Sequence, residues 1–142
     1  MERRYRLRQI VNIVNASTPL GMLLARAGGS GGLRRGPHGL LIGTGYRLPL
    51  PAAPAFTVGN VVLVRDDGSI LRRRPSLLAH EARHATQYAV CGGLPMLLLY
   101  PLAMAVSLAI SGDLAAHNVF ERLAGLADGG YRPRSPRWRR SP

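Results

Sequence analysis

The stretch Pro75-Ser76-Leu77-Leu78-Ala79-His80-Glu81-Ala82-Arg83-His84-Ala85-Thr86-Gln87, closed downstream by Gly92-Gly93, decides how this chain is read. Proline pre-sets the backbone of a first helical turn and paired glycines end a helix, so the segment between them reads as one helix. His80 and His84 stand four residues apart in it, and positions i and i+4 share a helix face. Two imidazoles one turn apart can reach one ion. Neutral imidazole suits Zn2+, and a site with three protein ligands keeps a position open to water. Glu81 falls beside that position rather than on the ion, where a carboxylate can take a proton from water and pass it on.

A pair of histidines needs a third ligand. The chain has only three glutamates, Glu2, Glu81 and Glu121, so a downstream glutamate ligand has to be Glu121, with Asp113 and Asp128 as competitors. A helix is expected from Leu114 to about Ala127, with Asp113 as its N-cap and Gly129-Gly130 at its end. Counting by turns puts Asn118, Gly125 and Asp128 on the Glu121 face and His117 near it. Val119, Phe120, Leu123, Leu126 and Ala127 make the opposite face, which is expected to be buried. Gln87, one turn beyond His84, reads either as a surface residue or as a hydrogen-bond partner of a ligand or substrate carbonyl. His117, Asn118 and Asp128 are the other candidates for supporting the site.

Upstream, Phe56-Thr57-Val58 and Val61-Val62-Leu63-Val64 are β-branched runs that read as strand, with Gly59-Asn60 as a bulge between them. Asp67-Gly68 reads as a hairpin turn that returns through Ser69-Ile70-Leu71. The expected fold class is therefore α+β: a short β-hairpin, the His80–His84 helix, an apolar helical segment and a C-terminal ligand-bearing helix. The apolar segment, 94–110, carries no charge. It falls short of the roughly 20 residues that span a bilayer, and Pro95 and Pro101 interrupt it. Crossing a membrane there would leave His84 and Glu121 about 25 Å apart, unable to share an ion. A helix that folds back lets them meet, and this is the expected arrangement.

The 142 residues fit one compact unit with its own core. A single cysteine, Cys91, excludes an intramolecular disulfide and any cysteine-rich zinc module, and reads as a small buried apolar residue. The net charge of +12 comes from 19 arginines and no lysine. These sit mainly in chain ends and loops, which suits nonspecific acidic partners such as lipid headgroups. Sparse aromatic interleaving argues against specific nucleic-acid recognition. Residues 1–54 read as one or two short helices, basic in front and apolar behind, then a glycine-rich loop from Gly28 to Gly45 holding His38 as a surface histidine. Pro49, Pro51 and Pro54 form an extended linker. Residues 55–130 are the metal-binding domain, and 131–142 read as a disordered basic tail. Asparagines and Pro19 interrupt any signal peptide, so a cytoplasmic location is expected, with an anionic membrane surface as a further attachment.

Over 55–130 the chain resembles the zincin metallopeptidases in their small bacterial gluzincin-like form. The likeness is carried by the hairpin, the His80-Glu81-Ala82-Arg83-His84 motif and the helix with Asn118-Val119-Phe120-Glu121. It implies a peptidase that binds extended peptide or protein substrate along the edge strand before the helix. By position it makes His80 and His84 zinc ligands, Glu81 the general base and Glu121 the third ligand. Arg83 departs from the pattern, since zincins carry an uncharged residue there, and a cation near zinc opposes ligation unless its stem carries the charge outward. Only His117, Tyr88 and Tyr100 offer themselves as oxyanion stabilisers, so a catalytically idle relative is one alternative. A second is a non-catalytic binding protein on a membrane surface, basic ends on anionic lipid and 94–110 inserted.

Overall fold

The computed structural model describes residues 2–140. Two short helices, α1 (Arg3–Val14) and α2 (Ser17–Ala27), lead into a four-stranded sheet of β1 (Arg34–Arg35), β2 (Leu41–Thr44), β3 (Ala55–Val58) and β4 (Val61–Val64). The strand order is β1-β2-β4-β3, with β2 parallel to β4 and the other pairs antiparallel. The class is α+β, and the sheet is assembled from both sides of residue 54.

Three local expectations change. The segment 28–45 is not a loop, because β1 and β2 lie within it, flanking a single 3-10 turn at Pro37–Gly39. Gly59-Asn60 is the hairpin turn itself and not a bulge: Val58 pairs with Val61 across it. Gly59 has φ +63°, and a Cβ there would come within 2.4 Å of the Thr18 amide nitrogen, so both the turn and the approach of α2 require glycine. The Asp67-Gly68 signal starts a helix rather than a returning strand. Asp66 accepts from Gly68 N, Ser69 Oγ and Ile70 N, which caps α3 (Ser69–Arg73).

β4 is the centre of the core. All four of its residues are buried, because helices cover both faces of the sheet. Strand alternation sends Val62 and Val64 toward Leu77, Ala82 and Ala85 of α4 (Pro75–Val90), while Val61 and Leu63 pack with Ala25 of α2 and Tyr46. A polar knot fixes α1 to this frame. Asn60 Oδ1 accepts from Arg8 Nε and Asn12 Nδ2, and its amide nitrogen reaches Thr18 Oγ1. Arg8 and Asn12 also donate to the Ala82 and Ala85 carbonyls of α4. Each of these buried polar groups is matched, which makes their burial affordable.

After Gly92-Gly93, both at positive φ, the chain turns back as α5 (Met96–Ser111). Among the described residues no helix is long and apolar enough to cross a membrane. The helix expected over 114–127 is instead two shorter ones, α6 (Val119–Ala124) and α7 (Leu126–Gly129), divided by Gly125 at φ +91°. Asp113 does cap a turn, accepting from Ala115 N and Ala116 N, but the turn is not propagated. Asn118 caps α6 through the Phe120 amide. Nor does 131–140 run free as a disordered tail. His117 Nε2 donates to Arg134 O at 2.8 Å, and Arg137 and Arg140 donate to the Leu108 and Ser111 carbonyls of α5. Ser141 and Pro142, also assigned to that tail, lie outside the described residues.

Candidate metal centre

Pro75 at the first position of α4 sets the helix phase that turns His80, Glu81 and His84 inward, and all three are buried. The apolar Leu77 and Ala85 of the same helix hold it against the sheet. Opposite lies α6, with Glu121 only 2% exposed. The α6 face expected to be buried is only partly so: Val119 is 52% and Leu123 71% exposed, whereas Phe120 is half-buried against Val58, Tyr88 and Met96. The reason is electrostatic. Gly125 ends α6 early, its last carbonyls are left without intrahelical partners, and α4 supplies the donors. His80 Nδ1 bonds the Ala124 and Gly125 carbonyls at 3.1 and 3.0 Å, and Arg83 Nη1 bonds Ala124 O at 2.6 Å.

These bonds fix the tautomers. A carbonyl only accepts, so the His80 proton is on Nδ1 and Nε2 carries a lone pair. Gln87 does the same for His84. Its Nε2 donates to Phe120 O at 2.8 Å, so its Oε1 must accept from His84 Nδ1, at 2.7 Å. Both free Nε2 atoms then face one another at 3.0 Å and face Glu121 at 3.1 Å (His80 to Oε2) and 3.4 Å (His84 to Oε1). With the His80 proton on Nδ1, the 3.1 Å approach to Oε2 is not a hydrogen bond, and Oε2 is buried without a donor. With both rings neutral, three electron-rich atoms converge with no proton between them. Ligands about 2.0–2.1 Å from a tetrahedral zinc lie about 3.4 Å from one another, close to the spacing seen. His80, His84 and Glu121 form a group that could hold a metal ion.

The electrostatics of the triad point to the same need for positive charge. Burial opposes a charge on His84, but the Glu121 hydrogen bond and the Glu81 and Glu121 charges outweigh it and raise its pKa. Burial likewise opposes the Glu121 carboxylate, yet hydrogen bonds from the two rings, once either takes a proton on Nε2, and from Tyr100 hold it far below the usual range. A proton on His84 is the stand-in for a cation.

Glu81 is not part of the ligand triad. Burial pushes its carboxyl up, against the pull of His84, Thr57 and His80, and Thr57 Oγ1 donates to its Oε2 at 2.6 Å. It lines a cavity of about 300 Å³ together with the three candidate ligands, Thr57, Tyr100 and Tyr131. Tyr100 donates to Glu121 Oε1. Arg83 leads its charge away from the triad, pairing with Asp128 at 2.7 Å. Asp128 therefore serves Arg83 and does not reach the triad; Asp113 caps its turn, Asn118 caps α6, and His117 is engaged with Arg134, so none of these four joins the ligands.

Two cavity residues carried little signal in the sequence. Thr57 looked like any β-branched strand residue. Tyr131 reads by composition as part of the basic tail, although an aromatic just after Gly129-Gly130 is the place a chain can turn back onto its own core. Gly129 belongs with it: a Cβ there would lie 2.5 Å from His80 Cε1. No protein family, characterised protein or solved structure matches this chain.

Proposed function

We propose that this chain is a zinc-dependent hydrolase of peptide bonds, of the zincin type, with α4 as its active-site helix. The observation that carries the reading is the convergence of His80 Nε2, His84 Nε2 and a Glu121 oxygen with both histidine protons held on the far ring nitrogens. The donor set of two imidazoles and a carboxylate is that of a catalytic zinc site, and a buried carboxylate oxygen without a donor is what a cation would satisfy. Zinc held there supplies Lewis acidity, polarising a carbonyl and lowering the pKa of water.

The chain's own residues divide the remaining work. Glu81 is the general base: Thr57 fixes its Oε2, leaving Oε1 to take a proton from water and deliver it to the leaving amine. Its raised pKa brings it closer to the working range of a base. Gln87 keeps His84 in the coordinating tautomer, and the Ala124 and Gly125 carbonyls do so for His80. Tyr131, like Tyr88, lines the cavity and stays protonated because burial raises its pKa, and it can donate to a carbonyl oxygen gaining charge. β3 is at the sheet edge and lines the cavity with Phe56, Thr57 and Val58, so an extended peptide can add to it as a further strand.

The test combines zinc content with turnover of an unfolded protein substrate. Glu81→Gln should keep its zinc and lose activity, and Tyr131→Phe should lower kcat more than it changes KM. Wild-type turnover by Glu81→Gln would remove the proposed base.

A further inference from the structure

α5 is built with its leucines outward. Ser107 and Ser111 are fully buried, whereas Leu98 is 79% and Leu102 61% exposed, and Leu97, Leu99, Val106 and Leu108 are also exposed. Ser107 is inside because it has partners there: its hydroxyl donates to Asp113 O and accepts from His117 N. At about 100° per residue, Leu97, Leu98 and Leu99 alone sweep roughly 200° of the helix surface. A partner helix covers a stripe of about half that width. Leu98 is the open centre of this arc and Leu97 and Leu99, 39% and 40% exposed, are its partly covered margins, and an exposed face of this width suits a surrounding apolar medium.

The end of α5 names the medium's charge. A 3-10 turn at Arg137–Arg139 lies against it, tied by Arg137 to Leu108 O and by Arg140 to Ser111 O. Trp138, the only tryptophan of the chain, is 72% exposed in that turn. Residues 129–142 contain no Asp or Glu, and among the described residues Arg137, Arg139 and Arg140 form no ion pair. Indole and guanidinium beside an apolar helix are the groups that settle at the boundary between acyl chains and anionic headgroups. At sixteen residues α5 is about 24 Å long, short of a roughly 30 Å hydrocarbon core, so it lies in the boundary and does not cross it.

We propose that α5 and the Arg137–Arg140 turn form the docking surface of this protein for a membrane containing anionic phospholipid. The proposal does not rest on metal binding, although Leu97 of α5 also lines the cavity beside the candidate ligands. Full-length protein is mixed with vesicles of phosphatidylcholine alone or of phosphatidylcholine with phosphatidylglycerol, and followed by co-sedimentation and Trp138 emission. Wild type should sediment with the anionic vesicles and shift its emission to the blue. Leu98→Asp with Leu102→Asp should weaken this partition about a hundredfold at unchanged circular dichroism. Arg137→Ser, Arg139→Ser and Arg140→Ser together should weaken it about a hundredfold on anionic vesicles only. Absence of wild-type binding to either vesicle, or undiminished binding by the leucine pair, overturns the proposal. So does self-association that the leucine pair abolishes without any vesicle binding, which would assign the face to a second copy.

Discussion

α4 and α5 are each sixteen residues long, and both turn polar side chains inward, yet they do so for opposite reasons. α4 buries two imidazoles and a carboxylate because α6 offers matching carbonyls and a second carboxylate; what remains unmatched is one positive charge. α5 buries the Ser107 hydroxyl because it holds the 113–117 turn, and the Ser111 hydroxyl returns to Ser107 O, while its leucines stay partly or largely exposed. Burial in this molecule follows the availability of partners more than the polarity of the side chain.

That contrast can be broken at graded cost. The largest effect belongs to Glu81→Gln, which should lower peptide hydrolysis about a thousandfold with zinc retained, as measured by turnover beside metal analysis. Next, Leu77→Ala should cost about 3 kcal/mol in chemical denaturation, since Leu77 is among the residues packing α4 on the sheet. Gln87→Leu and Gly129→Ala should each weaken zinc binding about 10–100-fold in competition titrations. The first releases the His84 tautomer and the second pushes the His80 ring aside.

The pH dependence should show the same charge demand. His84 in the free site is raised above its ordinary 6.5, so a proton competes with the ion. Zinc affinity should be level above that raised value and fall about tenfold per pH unit below it. In the metal-free protein the sign reverses. The stabilisation from protonated His84 is complete below about pH 6.5 and lost as pH rises through the raised value. The smallest effect is on α5, where Leu102→Gln should change stability by less than about 0.5 kcal/mol. A loss comparable to that of Leu77→Ala would show that α5 is packed as tightly as α4.

How much of this was legible depended on whether the deciding partner was local. α4 was readable to its ends because Pro75 and Gly92-Gly93 act on their own backbone, and His80 with His84 followed from helix geometry alone. Glu121 was found by scarcity, there being few glutamates to choose from. The partial inversion of α6 was not readable, because it depends on carbonyls left free by Gly125 meeting donors from a helix some forty residues earlier. β2 was missed for a related cause. It is four residues long, is led by glycines, and is a strand only because β4 lies beside it. Gly59-Asn60 looked like a bulge because the side-chain partners of Asn60 come from α1 and α2.

In the proposed metal centre two separated helices close around one cation. Zinc measured on purified protein after exposure to the metal and removal of excess tests it directly, with wild type beside His80→Ala and Glu121→Ala. Stoichiometric zinc is expected in the wild type and none in either variant. Zinc-free wild type, or full retention by folded Glu121→Ala, would contradict it.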